Sequence, residues 1–194
     1  MSIISDQIDL LTLRSLRSET QEVLSVIRAD KRWGFSLSWE TFILGMTFLP
    51  SQAYGTRIQN RLIKELYLEK VQAQSNNGDF RDVFGDYYEL KVSILQHGES
   101  DMNMVQIRPW QKTHHFCFAF DVRTSVFKAY AFKLSPSQMD EEMRTMKAAS
   151  AHGTAKANAS NINVEYRMSL AISDDNDHFL RWKRLYQSNL FLQD

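Results

Sequence analysis

Hydrophobic residues in the first third of the chain recur at intervals of three and four, which is the spacing of an amphipathic helix. This spacing predicts a helix over residues 6–30 and a more apolar helix over 39–49 that is closed by Pro50. A third helix is predicted over 54–70, where Thr56 begins a capping-box pattern. The first part of the chain is therefore expected to be helical.

Beyond residue 86 the pattern changes to an alternation of apolar and polar residues, which is the period of a β-strand. Strands are predicted over residues 87–95, 104–110, 114–122, 126–134 and 164–172. A serine-capped helix is predicted over 135–149, a polar loop over 150–163 and a closing helix over 178–187. The expected fold class is α+β, with one mixed, mostly antiparallel sheet flanked by helices.

The composition supports one compact domain over residues 1–194. Hydrophobic residues make up 43% of the chain and aromatic residues 12%, enough for one sizeable core. Its 23 basic and 23 acidic residues leave no overall positive charge, so contact with DNA would depend on local clusters. Cys117, the single cysteine, is expected to be a core residue and excludes an intrachain disulfide framework.

Neither a secretory signal nor a membrane span is predicted. The N-terminal residues carry acids and bases at helical intervals and lack a cleavage site. No apolar run approaches the ~18 residues of a spanning helix. Together with the single cysteine, these features predict a cytoplasmic protein without a membrane partner.

The strand predicted over 87–95 carries residues suited to phosphodiester chemistry. Side chains alternate between the two faces of a strand, so Glu89, Lys91 and Ser93 share one face. The Glu89 carboxylate and the main-chain carbonyl of Leu90 are hard oxygen ligands for Mg²⁺, and Lys91 can contact an attacking water and the scissile phosphate. A second carboxylate is needed to fix the ion.

Aspartates precede this strand, and the hairpin geometry decides which of them lies beside Glu89. If Gly85 and Asp86 form a two-residue turn, regular pairing places Asp82 beside Glu89. A three-residue turn or a bulge reverses the parity and brings Asp79 there instead. The residues alone leave both arrangements open.

Asp79, followed ten residues later by Glu89, Leu90 and Lys91, resembles the active-site signature of the PD-(D/E)xK nucleases, the restriction endonuclease-like superfamily. The order of predicted elements over roughly residues 55–172 is similar to the catalytic core of that family. The resemblance implies a restriction endonuclease-like core. It also implies that Asp79, Glu89 and Lys91 are catalytic, and that Asp79, Glu89 and Leu90 bind the metal.

The chain departs from the family pattern at two positions. Gly78 stands where a proline commonly precedes the aspartate, and the missing proline is tolerated within the family. The preceding helix carries Gln59 where some members have a glutamate that could serve as a third acidic ligand.

The resemblance implies a Mg²⁺-dependent deoxyribonuclease that cuts double-stranded DNA, most simply a Type II restriction endonuclease. A chain with one catalytic site would act on both strands as a homodimer, and residues 1–50 are the candidate dimerisation part. A structure-selective repair or junction-resolving nuclease is an alternative within the same superfamily. A non-catalytic interaction protein, in which the charged cluster is a solvated hairpin, is the alternative from another class.

Three further residues are candidates for DNA binding. Arg108 shares a strand face with Gln106 and could grip a phosphate near the metal. His152 and Lys156 lie in the polar loop, whose small residues suit contacts to base edges or phosphates. A polar outer face and an ordinary solvated loop are the alternative explanations.

Overall fold

The structure, a computed structural model, describes residues 37–71, 77–150 and 165–188. The helix predicted over 6–30 lies outside these ranges. By its internal contacts the chain divides into two compact units, residues 1–61 and 62–194. Within the described ranges, no helix is long and apolar enough to cross a membrane.

Helix α1 (Trp39–Met46) lies in the first unit and begins where the sequence predicts. The Ser38 hydroxyl caps it by accepting a 3.1 Å hydrogen bond from the Thr41 main-chain N–H. The helix ends earlier than predicted, ahead of Pro50. Its buried side chains are those of Phe42, Ile43 and Met46.

Helix α2 (Ser51–Glu65) begins five residues before the cap predicted at Thr56. Pro50 explains the difference, because its fixed φ suits the entry into a helix and it needs no main-chain donor there. The helix also ends sooner than residue 70, since Tyr67 takes a left-handed conformation with φ 54°. The prediction of a helix here is confirmed, and both predicted bounds were wrong.

The described part of the second unit contains eight strands, most of them short. In chain order they are β1 (Glu69–Lys70), β2 (Phe80–Arg81), β3 (Tyr87–Leu95), β4 (Asp101–Ile107), β5 (His114–Asp121), β6 (Lys128–Leu134), β7 (Ala149–Ser150) and β8 (Tyr166–Ala171). The larger sheet has the order β1-β2-β3-β5-β6, and the smaller sheet has the order β4-β8-β7. Only the β3–β5 pair is parallel among these described strands.

The prediction of a single sheet was wrong, because β4 and β8 belong to the second sheet. Strand β3 pairs with β2 on one edge and with β5 on the other, over eight residues from Tyr88 to Leu95. Strand β5 occupies one edge of β3 from Tyr88 to Leu95, and β4 pairs with β8 instead. The general expectation of an α+β fold with a mixed sheet flanked by helices is confirmed.

Helices α3 (Pro136–Thr145) and α4 (Asp177–Tyr186) complete the second unit. The predicted serine cap of α3 is present as a full capping box between Ser135 and Gln138. Both helices pack on one hydrophobic core that also receives side chains from the two sheets. The core includes Met102, Met104, Cys117, Phe132, Leu134, Met139, Leu170, Phe179 and Trp182.

A fully buried carboxylate, that of Glu142, joins α3 to α4. It accepts hydrogen bonds from the Tyr186 hydroxyl at 2.6 Å and the Trp182 indole N–H at 3.0 Å, and it pairs with the Arg181 guanidinium at 2.8 Å. Burial and the neighbouring carboxylate raise the pKa of Tyr186 to about 12, so its hydroxyl remains a donor at neutral pH. All three of these partners belong to α4, so the Glu142 carboxylate links the two helices through polar bonds.

Candidate active site

The loop between β2 and β3 is organised by Asp82. Its Oδ1 accepts hydrogen bonds of 3.0 Å from the main-chain N–H groups of Phe84 and Asp86, and its Oδ2 accepts a 3.0 Å bond from the Tyr88 hydroxyl. Desolvation raises the pKa of Asp82, but these three hydrogen bonds outweigh it and the pKa is lowered. Asp82 therefore serves the turn.

The hairpin register decides which aspartate lies beside Glu89. Phe80 pairs with Tyr88 and Arg81 with Tyr87, so the loop contains the five residues 82–86. An odd number of loop residues gives the parity that turns Asp79, and not Asp82, towards Glu89. The two-residue turn at Gly85-Asp86 was therefore the wrong alternative.

Asp79 reaches the centre of the E-x-K motif through its carboxylate. Its Oδ2 accepts a 2.7 Å hydrogen bond from the main-chain N–H of Leu90, and its own N–H donates to the Tyr88 carbonyl at 2.7 Å. A strand residue directs its N–H and its carbonyl to the same edge, so the Leu90 carbonyl shares the edge on which Asp79 lies. The structure thus places the Asp79 carboxylate against the main chain of Leu90, the residue that follows Glu89.

Gly78 explains why no proline precedes Asp79 in this chain. Its φ is +82°, a value that a proline ring cannot adopt. A Cβ at this position would lie 2.5 Å from the Tyr88 carbonyl oxygen, so the backbone of β3 leaves no space for a side chain. Glycine is therefore required for the chain to approach β3 closely and deliver Asp79.

The charged face of β3 is buried, whereas a solvated hairpin would expose it. Glu89 and Lys91 are each only 8% exposed, and they lie beside His115 and Cys117 of β5. The cover comes from the second sheet, since the Ser93 hydroxyl exchanges hydrogen bonds of 2.9 and 3.0 Å with the main chain of β4. The sequence pattern predicted that Glu89, Lys91 and Ser93 share one face of β3. It did not predict that the second sheet would bury this face.

Lys91 forms two hydrogen bonds inside this cover. Its Nζ donates to Glu89 Oε1 at 2.8 Å and to the main-chain carbonyl of Gln106 at 3.0 Å. Gln106 has a left-handed φ of 55°, and the β4–β8 register shifts between Met104 and Ile107. This bulge turns the carbonyl of Gln106 towards Lys91, a main-chain role that the sequence does not indicate.

The arrangement offers oxygen donors for a small cation. Among the described residues, no group of three or more His, Cys, Asp or Glu side chains is close enough to form a metal site by itself. The candidate set has instead two carboxylates, Asp79 and Glu89, and the Leu90 carbonyl. Such a set fits Mg²⁺, which is bound by few protein oxygens and keeps several waters.

His115 and Cys117, which lie beside the acidic and basic residues of β3, are held neutral. Burial raises the pKa of the Cys117 thiol to about 12, so the expectation of a core cysteine is confirmed. Burial, together with the charges of Lys91 and His114, lowers the pKa of His115 to about 3. The cluster therefore contains one ion pair among neutral neighbours.

The depressed pKa of His115 predicts a loss of stability in acid. The unfolded chain takes up a proton near the ordinary pKa of 6.5, and the folded chain only near 3. Above pH 6.5 the titration of His115 therefore does not change the free energy of unfolding. Between pH 6.5 and 3 the free energy of unfolding falls by up to about 1.4 kcal/mol for each unit by which the pH is lowered. Urea unfolding at several pH values should give a smaller acid slope for His115→Gln than for the parent, and equal slopes would contradict the assignment.

Of the three residues predicted to bind DNA, the structure describes Arg108 alone. Arg108 follows the end of β4, and its Nε donates to Glu165 Oε1 at 2.8 Å, so its charge is already paired. His152 and Lys156 lie outside the described residues. The structure thus places Asp79 against the E-x-K strand, and it shows Arg108 in an ion pair with Glu165.

No protein-family model matches the chain, and no curated protein is significantly similar to it.

Proposed function

We propose that this chain is a Mg²⁺-dependent endonuclease that hydrolyses phosphodiester bonds of double-stranded DNA. The observation that carries the proposal is the 2.7 Å hydrogen bond from the Leu90 N–H to the Asp79 carboxylate. It joins an aspartate ten residues upstream to an E-x-K strand whose Glu89 and Lys91 share the same face.

The burial of Glu89 and Lys91 supports a functional role for this charged pair over a role as solvated surface residues. Charged side chains are almost never buried to this degree without a partner or a role, because removing them from water is costly. Glu89 and Lys91 are nevertheless each only 8% exposed, and their neighbours on β5 are His115 and Cys117. In an ordinary solvated hairpin the two charged side chains would be exposed to water.

Each residue of the cluster would have a distinct task in hydrolysis. Asp79 and Glu89, with the Leu90 carbonyl, would bind Mg²⁺, which when bound supplies charge neutralisation and lowers the pKa of a coordinated water. Lys91 has one N–H group beyond the two that bond Glu89 and the Gln106 carbonyl, and with it the ammonium would contact the attacking water and the scissile phosphate. Its positive charge would stabilise the negative charge that develops on the phosphoryl oxygens in the transition state.

The finer proposal is a Type II restriction endonuclease that acts as a homodimer. One catalytic cluster per chain must be doubled to cut both strands, and two-fold symmetry would match a palindromic site. A structure-selective nuclease would use the same cluster. Discrete fragments from a plasmid support the first form, and an unspecific smear or cleavage limited to branched DNA supports the second.

A non-catalytic role is the competing proposal, and it has an observation of its own. Lys91 is bonded within the fold to both Glu89 and the Gln106 carbonyl, so the pair can also be understood as a link between the two sheets. Metal dependence separates the two roles. A nuclease should cut only with Mg²⁺ or Mn²⁺, and a structural link should give no cleavage under any metal.

The two candidate aspartates provide a matched pair of variants. We expect Asp79→Asn to lose cleavage across a Mg²⁺ titration, because a negative oxygen donor is removed from the ion. Asp82→Asn retains an oxygen that can accept the bonds from Phe84 and Asp86, and it should cut at a rate close to that of the parent.

Plasmid cleavage by each purified variant, with circular dichroism as the folding control, is the measurement. An active Asp79→Asn beside an inactive Asp82→Asn would overturn the assignment of the metal ligand. Cleavage by the parent in excess chelator would overturn the metal dependence itself.

A further inference from the structure

A surface groove of about 520 Å³ lies beside the C-terminal end of α3 and the start of β8. Pro109, Met143 and Tyr166 contribute apolar and aromatic walls, and Arg144 and Lys147 contribute cationic groups. The candidate active site does not use these residues. A flat aromatic wall next to two cations is suited to a ligand with a planar ring and an anionic group.

The charge of the groove is positive. Arg144 and Lys147 are exposed and form no ion pair with an acid among the described residues. The acid in the lining, Asp140, has its carboxylate 3.3 Å from the Lys112 ammonium, so its charge is offset. The Arg144 Nε donates to the Asp140 main-chain carbonyl at 3.2 Å, which orients the guanidinium without neutralising it.

Cations at the end of a helix often serve only to satisfy its last carbonyls. Here the main chain does so, since the N–H groups of Met146 and Ala148 donate at 2.8 Å to the carbonyls of Glu142 and Met143. Lys147 takes a left-handed φ of 53° that closes this turn. The side chains of Arg144 and Lys147 are therefore not required for capping.

We propose that the groove binds a nucleotide unit, with the base against Tyr166 and the phosphate on Arg144 and Lys147. A guanidinium and an ammonium together match the charge of a phosphate and donate hydrogen bonds to its oxygens. The tyrosine ring offers a stacking face that accepts any base. The unit can belong to a free nucleotide or to a nucleic-acid strand.

The position of the groove favours a strand. Pro109 in its wall follows Gln106, whose carbonyl holds Lys91, by three residues, and three residues span at most about 11 Å. Successive nucleotides rise by about 3.4 Å along a strand of duplex DNA. A strand at the candidate active site could therefore place a flanking nucleotide in the groove, and this form of the inference rests on the proposed function.

Binding can be tested without cleavage. The full chain would be titrated in chelator, by calorimetry, with adenosine monophosphate, adenosine, inorganic phosphate and a short single-stranded oligonucleotide. We expect the nucleotide to bind more tightly than adenosine or phosphate. The double variant Arg144→Gln/Lys147→Gln should weaken binding by about tenfold or more, the usual size of a lost charged hydrogen bond.

Arg184→Gln is the matched control, because Arg184 is likewise an exposed arginine in the last turn of a helix. It should leave the affinity unchanged. A loss seen for the oligonucleotide alone would assign the groove to a strand, and an equal loss for the mononucleotide would assign it to a free nucleotide. An absence of saturable binding, or an equal effect of Arg184→Gln, would overturn the proposal. Since no metal is present, either result is independent of whether the Asp79 cluster cuts DNA.

Discussion

Lys91→Ala is expected to reduce plasmid cleavage by several hundred-fold or more. Under the proposed function the ammonium stabilises the transition state, and the loss of on the order of 3 to 4 kcal/mol of that stabilisation corresponds to this reduction in rate. DNA binding in Ca²⁺ should remain largely intact, because the chemical step and not the affinity depends on this group. Cleavage at the parental rate would show that the E-x-K strand is not catalytic.

The burial of Lys91 makes a folding control necessary. Removing the lysine leaves the Glu89 carboxylate buried without its partner, so a loss of activity could also follow from unfolding. Ser93→Ala is the matched control, because Ser93 lies on the same buried face. This variant removes the hydrogen bonds between the Ser93 hydroxyl and β4. It should lower stability by about 1 kcal/mol and leave cleavage intact. Lys91→Met/Glu89→Gln, which removes both charges, should remain folded and be inactive.

Glu142→Ala is expected to lower the free energy of unfolding by about 3 kcal/mol or more. The carboxylate is fully buried, and its removal leaves Arg181, Trp182 and Tyr186 without their shared acceptor. Loss of one member of a buried charged network is among the most destabilising changes known. Denaturant unfolding followed by tryptophan fluorescence would measure the change.

The neighbouring residue supplies a control for this effect. Glu141 also lies on α3 and also pairs with Arg181, at 3.2 Å, but its side chain is mostly exposed. Glu141→Ala should lower stability by less than about 1 kcal/mol, as is usual for surface ion pairs. Equal losses in the two variants would mean that the buried acceptor contributes no more than the exposed one.

The local elements of this fold could be predicted from sequence pattern because each depends on neighbouring residues. Strand β3 has the bounds that its alternation predicts, and the Ser135 cap of α3 is where the serine and proline indicate it. The start of α2 was missed because Pro50 was interpreted only as the end of the preceding helix. One proline can serve both purposes, and pattern alone does not indicate which.

The arrangement of the sheets could not be predicted in the same way. Alternation in β3 and β4 predicts two strands, but it does not specify whether they pair with each other or stack in different sheets. In the structure β3 pairs with β5, and β4 pairs with β8, which lies far along the chain. The burial of Glu89 and Lys91 follows from that choice, and so does the main-chain contact from Gln106.

The choice between Asp79 and Asp82 depends neither on one local element alone nor on the arrangement of the sheets. It depended on the number of residues in one loop, and sequence pattern predicts strand identity better than turn length. The three hydrogen bonds to Asp82 account for the longer loop, because they stabilise a turn over residues 82–86.

The same loop has a consequence for insertions and deletions. Val83 and Phe84 at its tip are 78% and 89% exposed, so their side chains can be exchanged with little effect on packing. The length of the loop is constrained in a different way. Adding or removing one residue would rotate the preceding segment by one position and exchange the neighbours of Glu89, whereas a change of two would restore them. The β2–β3 hairpin should thus tolerate substitutions at Val83 and Phe84 and changes of length only in pairs.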